Sequence, residues 1–272
     1  MSAPASRQTL LIDAHVHMYP GYDWEKAVTS LLTSLPGAGT PGKPLIIGLL
    51  AESRACRFFR DVLATPSAFT GKAVQLTPGP DPQSIAIRVR GVLAGYLVAG
   101  RQIVTRDQLE ILALGVDVSI PDGLTADDTL DAVRAAGAIP VLSWSPGKWF
   151  GLRGKIIRTL ITADTPDRFL IGDTGLRPTL WPLPCLMRLA LKKGFTVIGG
   201  SDPLPLSDEE RWVGTYGITV TTDFDPENPT ASISQLLRSH TISLRPIGQR
   251  SPVLAFLSRW IRNQFFPRRI SH

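Results

Sequence analysis

Short apolar runs, each closed by a polar residue and each followed by a stretch of helical periodicity, recur along most of this 272-residue chain. Strands that alternate with helices satisfy that rhythm, and few other arrangements do. The spacing predicts a strand over 10–18, a helix over 24–35, a strand over 44–50 and a helix near 53–63. The rhythm resumes after Pro121-Asp-Gly-Leu-Thr with a helix over 126–136, whose carboxylate-rich first turn suits the helix dipole. A strand over 139–143, a helix over 153–162, a strand over 168–171, a helix over 182–193 and strands over 196–199 and 215–221 complete it. Between the two halves, Thr77-Pro-Gly-Pro-Asp-Pro82 excludes a helix or a central strand. The short strand-like segments around it, at 73–76, 84–89, 95–98, 102–105 and 110–114, read as an antiparallel hairpin excursion. Parallel strands with intervening helices predict an α/β barrel or a doubly wound sheet.

In both architectures chemistry collects at the C-terminal ends of the strands. The first such end is Asp13-Ala-His-Val-His17. Strand side chains alternate faces, so Asp13, His15 and His17 are expected to share one. Two imidazoles on one face reach a single ion at ~2.0–2.1 Å each. At the last end, the glycines of Gly199-Gly-Ser-Asp202 permit close approach of a ligand below Asp202, although a Ser-Asp cap on a following helix would explain the same letters. Glu52, Glu110, Ser143, Trp144 and Asp173 occupy the other ends. Two loops add Lys148, Arg153 and Arg177 for an anionic substrate, with Trp144 and Trp149 as an aromatic wall. The competing reading is a solvated helix start over tryptophans packed beneath the loop.

Several classes drop out. Neither basic loop is a phosphate-loop or dinucleotide fingerprint, so no nucleotide cofactor is expected. Ser143, Ser145 and Ser201 lack an uncommitted histidine for a nucleophilic triad. Cys56 and Cys185 are too few for a disulfide framework or a zinc cluster and read as buried thiols.

As an ordered set, Asp13-Ala-His-Val-His17 and Gly200-Ser-Asp202 resemble the first and last motifs of the Polymerase and Histidinol Phosphatase (PHP) domain. The segment Gly100-Arg-Gln-Ile-Val-Thr-Arg-Asp-Gln-Leu-Glu-Ile-Leu-Ala-Leu-Gly115 is similar to that family's central hairpin, and 131–142 to the segment leading to its His-Pro motif. The resemblance implies a distorted TIM-like (β/α)7-type barrel over residues 1–240, with the hairpin excursion in its middle. It also implies a metal-dependent phosphoesterase. Departures thin the ligand set: Glu52 and Glu110 stand where histidines are expected, Gln102 where a bridging glutamate is expected, and Ser143-Trp-Ser-Pro146 replaces His-Pro. His15, His17 and Asp202 are retained, with Glu52, Glu110 and Asp173 as oxygen ligands, enough for one or two divalent ions. Mixed imidazole and carboxylate ligation suits Zn, Mn or Fe. Asp13 or Asp202 is expected to orient the attacking water or take its proton. Two alternatives stay open: a catalytically silent relative that binds a ligand or partner, and an amidohydrolase-type metal hydrolase.

Charge separates the ends of the chain. Of a formal net charge of +6, residues 1–227 carry −1, with 22 basic and 23 acidic residues. After Glu227 come Arg238, Arg245, Arg250, Arg259, Arg262, Arg268 and Arg269 and no acid. No basic stripe interleaved with aromatics marks the body, so nucleic acid is not indicated. No run reaches the ~18 apolar residues of a membrane span and no leader is apparent, so a cytoplasmic location is expected. Residues 241–272 form a basic tail in which 251–266 reads as an amphipathic helix, with Val253, Leu254, Leu257, Ile261 and Phe265 on one face. That face is expected to dock on the barrel; the other reading is a membrane-surface or partner-binding element.

Overall fold

The computed structural model describes residues 6–38, 44–239 and 244–265. His240, Phe266, Arg268, Arg269 and His272 lie outside them. The first half runs β1 (Ser6–Val16), α1 (Trp24–Ser34), β2 (Leu45–Leu50), α2 (Phe58–Ala64), β3 (Val74–Pro78), β4 (Ser84–Val89), β5 (Val92–Val98), β6 (Gly100–Val104) and β7 (Glu110–Leu114). The second runs α3 (Ala126–Ala135), β8 (Ile139–Ser143), α4 (Gly151–Ala163), β9 (Leu170–Thr174), α5 (Cys185–Lys192), β10 (Val197–Gly200), β11 (Tyr216–Phe224), α6 (Pro229–Arg238), β12 (Arg245–Gly248) and α7 (Val253–Phe265). Helix starts follow local chemistry. The Asp23 carboxylate accepts from the Lys26 amide, and Thr125 accepts from the Asp128 amide while its hydroxyl donates to the Asp128 carboxylate.

The expected barrel is not what the strand ladders form. Among the described residues they make two open sheets, a seven-stranded one ordered β12-β11-β1-β2-β5-β4-β3 and a five-stranded one ordered β10-β9-β8-β7-β6. The cause lies at β1. Its second edge is taken by β11, antiparallel from Ser6 opposite Phe224 to Ile12 opposite Ile218, so the ladder does not pass on to β10. The strand expected at 215–221 as part of the parallel series therefore runs antiparallel to its neighbour. The sheets meet through shorter links. Glu52 forms an isolated bridge to Arg101, and the Asp202 amide donates to the His15 carbonyl at 3.0 Å. Close passage there needs a glycine, because a Cβ on Gly200 would collide with the His15 backbone.

Three apolar clusters hold this arrangement. Leu10, Ile12, Ile47, Val98, Leu112, Val141 and Ile198 bring inner faces of both sheets together. Ile111, Leu142 and Ile171 pack with α3, α4 and α5 over the five-stranded sheet, and Leu11, Ile46 and Leu97 pack with α1 and α2 on the seven-stranded one. Cys56 is buried as expected, but Cys185 is exposed at the start of α5.

Helix α7 reverses its expected orientation. Its one buried side chain is Arg259, 3% exposed, whereas Leu254 is 81% and Phe265 73% exposed, with Leu257 and Ile261 also exposed. What ties the helix down is polar. Arg259 forms a bidentate pair with Glu209 (2.9 and 2.6 Å) and donates to Ser251 (2.7 Å), its guanidinium lying over the Trp212 ring. No helix among the described residues is long and apolar enough to cross a membrane.

Candidate metal centre

The site begins with a fault in β1. Its register against β2 shifts between Asp13 and Val16, as a β-bulge does. Before the shift, Leu10, Ile12 and Ala14 face the inter-sheet core and Leu11 faces α1; after it, Val16 and Met18 join Leu11's cluster. Simple alternation, which predicted one face for Asp13, His15 and His17, fails at this step. His15 and His17 turn toward the cavity, and Asp13 becomes a clamp. Its Oδ1 accepts the Ser201 and His15 amides (2.8 and 3.1 Å) and its Oδ2 the Gly214 amide (2.8 Å). Burial raises the Asp13 carboxyl to about pH 6, against the pull of those amides.

His15, His17 and Asp202 form a buried group whose ligand atoms lie within 4.8 Å of one another. His15 Nε2 and His17 Nε2 are 3.0 Å apart, and Asp202 Oδ1 stands 3.6 and 3.5 Å from them. Gln102 Oε1 is 3.1 Å from His15 Nε2. Two donors each ~2.0–2.1 Å from one tetrahedral ion are separated by about 3.3 Å, so these spacings suit a shared cation. Hydrogen bonding alone suits them less: two ring nitrogens, an amide oxygen and a carboxylate oxygen point at one another, with two imidazole protons at most to share when both rings are neutral. His17 Nδ1 is buried and has no hydrogen-bond partner among the described residues, while His15 Nδ1 faces Ser143 Oγ at 3.4 Å. Burial lowers the His17 pKa in spite of Asp202, which favours the neutral ring a ligand requires. Burial pushes the Asp202 carboxyl up, but the imidazoles of His15 and His17 outweigh it, and it sits below its ordinary value. Asp202 holds a left-handed backbone (φ 52°), uncommon for a residue with a side chain and frequent at functional positions.

A cavity of about 280 Å³ opens on this group. Glu110 and Lys148 line it, joined at 2.7 Å, as does Tyr19, whose ring stacks on His17 with centroids 4.9 Å apart. Phe256, Trp260, Asn263 and Gln264 of α7 close one side.

The remaining expected residues are engaged elsewhere. Glu52 accepts the Phe59 amide at the start of α2 and faces a separate cavity of about 520 Å³ beside Arg54, Arg57, Arg60 and Arg101. Asp173, expected as a ligand, and Arg177, expected to bind substrate, neutralise each other through bonds of 2.7 and 2.6 Å, and Tyr216 donates to Asp173 at 2.8 Å. Trp144 is buried with its ring edge-on to Trp181, and Arg153 donates to the Gly147 carbonyl. Sequence reasoning missed Tyr19, although it continues the every-second-residue spacing of His15 and His17. It also missed the α7 wall, where residues some 240 positions from His17 reach the same cavity.

No protein-family model matches the chain, and no curated protein matches it in sequence. Among solved structures, PsfC from Pseudomonas syringae is similar in fold, with 14% identity and a TM-score of 0.55 over 94% of this chain and 98% of that one. A two-domain protein from Bacteroides vulgatus, described as containing a predicted PHP-like metal-dependent phosphoesterase, aligns over 95% of this chain and 72% of that one, with 16% identity and a TM-score of 0.47. At such identities the first likeness is one of fold alone, and the second falls below even that.

Proposed function

We propose that the chain is a metal-dependent hydrolase of a small phosphate ester or related small anion. The observation that carries the reading is the convergence of His15 Nε2, His17 Nε2 and Asp202 Oδ1 in a buried cavity, with the Gln102 amide oxygen beside them. The resemblance of Asp13–His17 and Gly200–Asp202 to the first and last PHP motifs supports it. A divalent ion held there, of the Zn, Mn or Fe type, supplies a Lewis acid and lowers the pKa of water toward neutrality. The chain's own groups do the rest. Lys148 and Glu110 line the cavity as an ion pair, so an anionic substrate that draws Lys148 to itself frees the Glu110 carboxylate to take a proton. Tyr19 stays protonated, since burial drives its pKa well above the ordinary value, and can donate a hydrogen bond. A second reading, a silent relative that binds a ligand without turnover, is favoured by one feature: Gln102 offers a neutral amide where a carboxylate would bridge two ions.

The test is metal analysis of protein purified without added metal, followed by a panel of small phosphate esters. Stoichiometric metal and turnover are expected, with His17→Ala losing both. Absence of metal above the His17→Ala background overturns the metal site. Bound metal without turnover transfers the case to the silent reading.

A further inference from the structure

An amphipathic helix on a globular protein normally turns its apolar stripe inward. In α7, Leu254, Leu257, Ile261 and Phe265, spaced three or four residues apart, face solvent, while the opposite side is fixed through Arg259 to Glu209 and Ser251. Between those faces, Phe256, Trp260, Asn263 and Gln264 line the metal-centre cavity. The stripe therefore runs along the cavity's rim. Other exposed apolar side chains belong to segments joined to the start of α7 or to the cavity lining. Leu180 and Trp181 lie where Thr179 bonds to Ser251 and Arg250 bonds to the carbonyls of Pro178, Thr179 and Trp181. Phe150 and Leu152 follow directly on the cavity-lining Ser145, Pro146 and Lys148.

We infer that this face docks on an anionic lipid surface, with the α7 stripe entering the headgroup boundary and the cavity mouth turned toward the headgroups. Charge selects the occupant. Of the seven arginines that follow Glu227 with no acid among them, Arg259 is spent on Glu209, while Arg250 and Arg262 stand beside the stripe, the latter bonded to the Ser207 carbonyl. Anionic lipid complements that charge, and exposed Trp and Phe beside an apolar stripe are the side chains that settle at a bilayer interface. A second copy of the chain fits less well. Two-fold pairing of the stripe would set Arg262 of one copy against Arg262 of the other with no carboxylate in the segment to offset them. The inference goes beyond the proposed hydrolysis and holds whether or not the cavity turns over a substrate.

The experiment is co-sedimentation of the full chain with vesicles of phosphatidylcholine alone and of phosphatidylcholine with phosphatidylserine, at low and physiological salt. Binding to the anionic vesicles is expected, weakened by salt and reduced roughly tenfold or more by Ile261→Glu or Leu257→Glu, both at exposed positions. Melting temperatures should not move; Leu254→Ser, at the most exposed stripe position, serves if a charged variant folds poorly. No binding by the unmodified protein overturns the inference, as does binding that the stripe variants leave intact. Concentration-dependent doubling of mass that Ile261→Glu abolishes, without vesicle binding, overturns it in favour of self-association.

Discussion

Asp173 and Asp202 stand at the ends of adjacent parallel strands, β9 and β10, and are 4% and 7% exposed, yet their surroundings are opposite. Asp173 meets a guanidinium supplied four residues later, at Arg177, and a phenol from β11. Asp202 meets two imidazole nitrogens at 3.5–3.6 Å, and among the described residues no lysine or arginine is bonded to it. The first constellation is electrically complete within the chain. The second is one that a cation from outside would complete, as the proposed function requires. A strand-end carboxylate is thus a poor marker of a ligand until its local cations are counted, and the i, i+4 arginine is the sign that distinguishes the two.

The comparison breaks most sharply under alanine. Asp173→Ala strands the buried Arg177, and removing one partner of a buried pair costs ~3–5 kcal/mol, a large share of a domain's 5–15 kcal/mol. Asp202→Ala in protein stripped of metal should cost far less, because it leaves no buried guanidinium without its partner. Denaturant unfolding of both variants in chelator measures the difference. Equal losses would mean that Asp202 is structural too and that the two strand ends are alike.

Much of this was legible in advance, and the failures have identifiable causes. Most strands and helices fall near their expected places because apolar periodicity and capping residues such as Thr125 are local signals. Closure was not legible, since nothing in the letters of 215–221 says that β11 pairs with the free edge of β1. His15, His17 and Asp202 could be picked out as chemically unusual letters at strand ends. The exclusion of Asp13 could not, because it depends on a one-residue slip in register. Orientation of α7 was misread for a related reason. Its periodicity fixes which residues share a face, but only the position of Glu209, fifty residues earlier, decides that the Arg259 face is the one turned inward.

Glu52 is a third strand-end carboxylate and lies between the two cases. Burial raises its pKa from 4.5 to about 7, even though the Phe59 amide favours the ionised form. The folded protein therefore holds a proton that the unfolded chain releases between those values, and Glu52's contribution to stability should be fullest below pH 4.5 and be lost as pH rises to 7. The full swing is on the order of 3 kcal/mol, since each tenfold change in proton affinity is worth ~1.36 kcal/mol. Glu52→Gln keeps an oxygen for the Phe59 amide and cannot titrate. Unfolding curves from pH 5 to 8 should slope for the parent and lie flatter for the variant. Parallel curves would place Glu52 with Asp173, as a carboxylate whose partners lie within the fold.

The smallest effect sharpens the other side of the comparison. Gln102 places a neutral oxygen 3.1 Å from His15 Nε2, where Gln102→Glu would place a charged one. If Asp202 and the two imidazoles await a cation, a second carboxylate repels Asp202 while the site is empty and attracts the ion when it arrives. Apparent metal affinity should then rise roughly tenfold, about 1.4 kcal/mol, since ligand charge tunes affinity for a divalent ion. The metal-free variant should also be slightly less stable than the parent, because the added charge lies next to a buried carboxylate. Competition against a chromophoric chelator reads the first quantity and chelated melting the second. Movement of both in opposite directions ties Gln102 to the ion. A loss of stability without a gain in affinity would show that its amide oxygen serves only to accept a hydrogen bond from His15, leaving three ligands to do the binding alone.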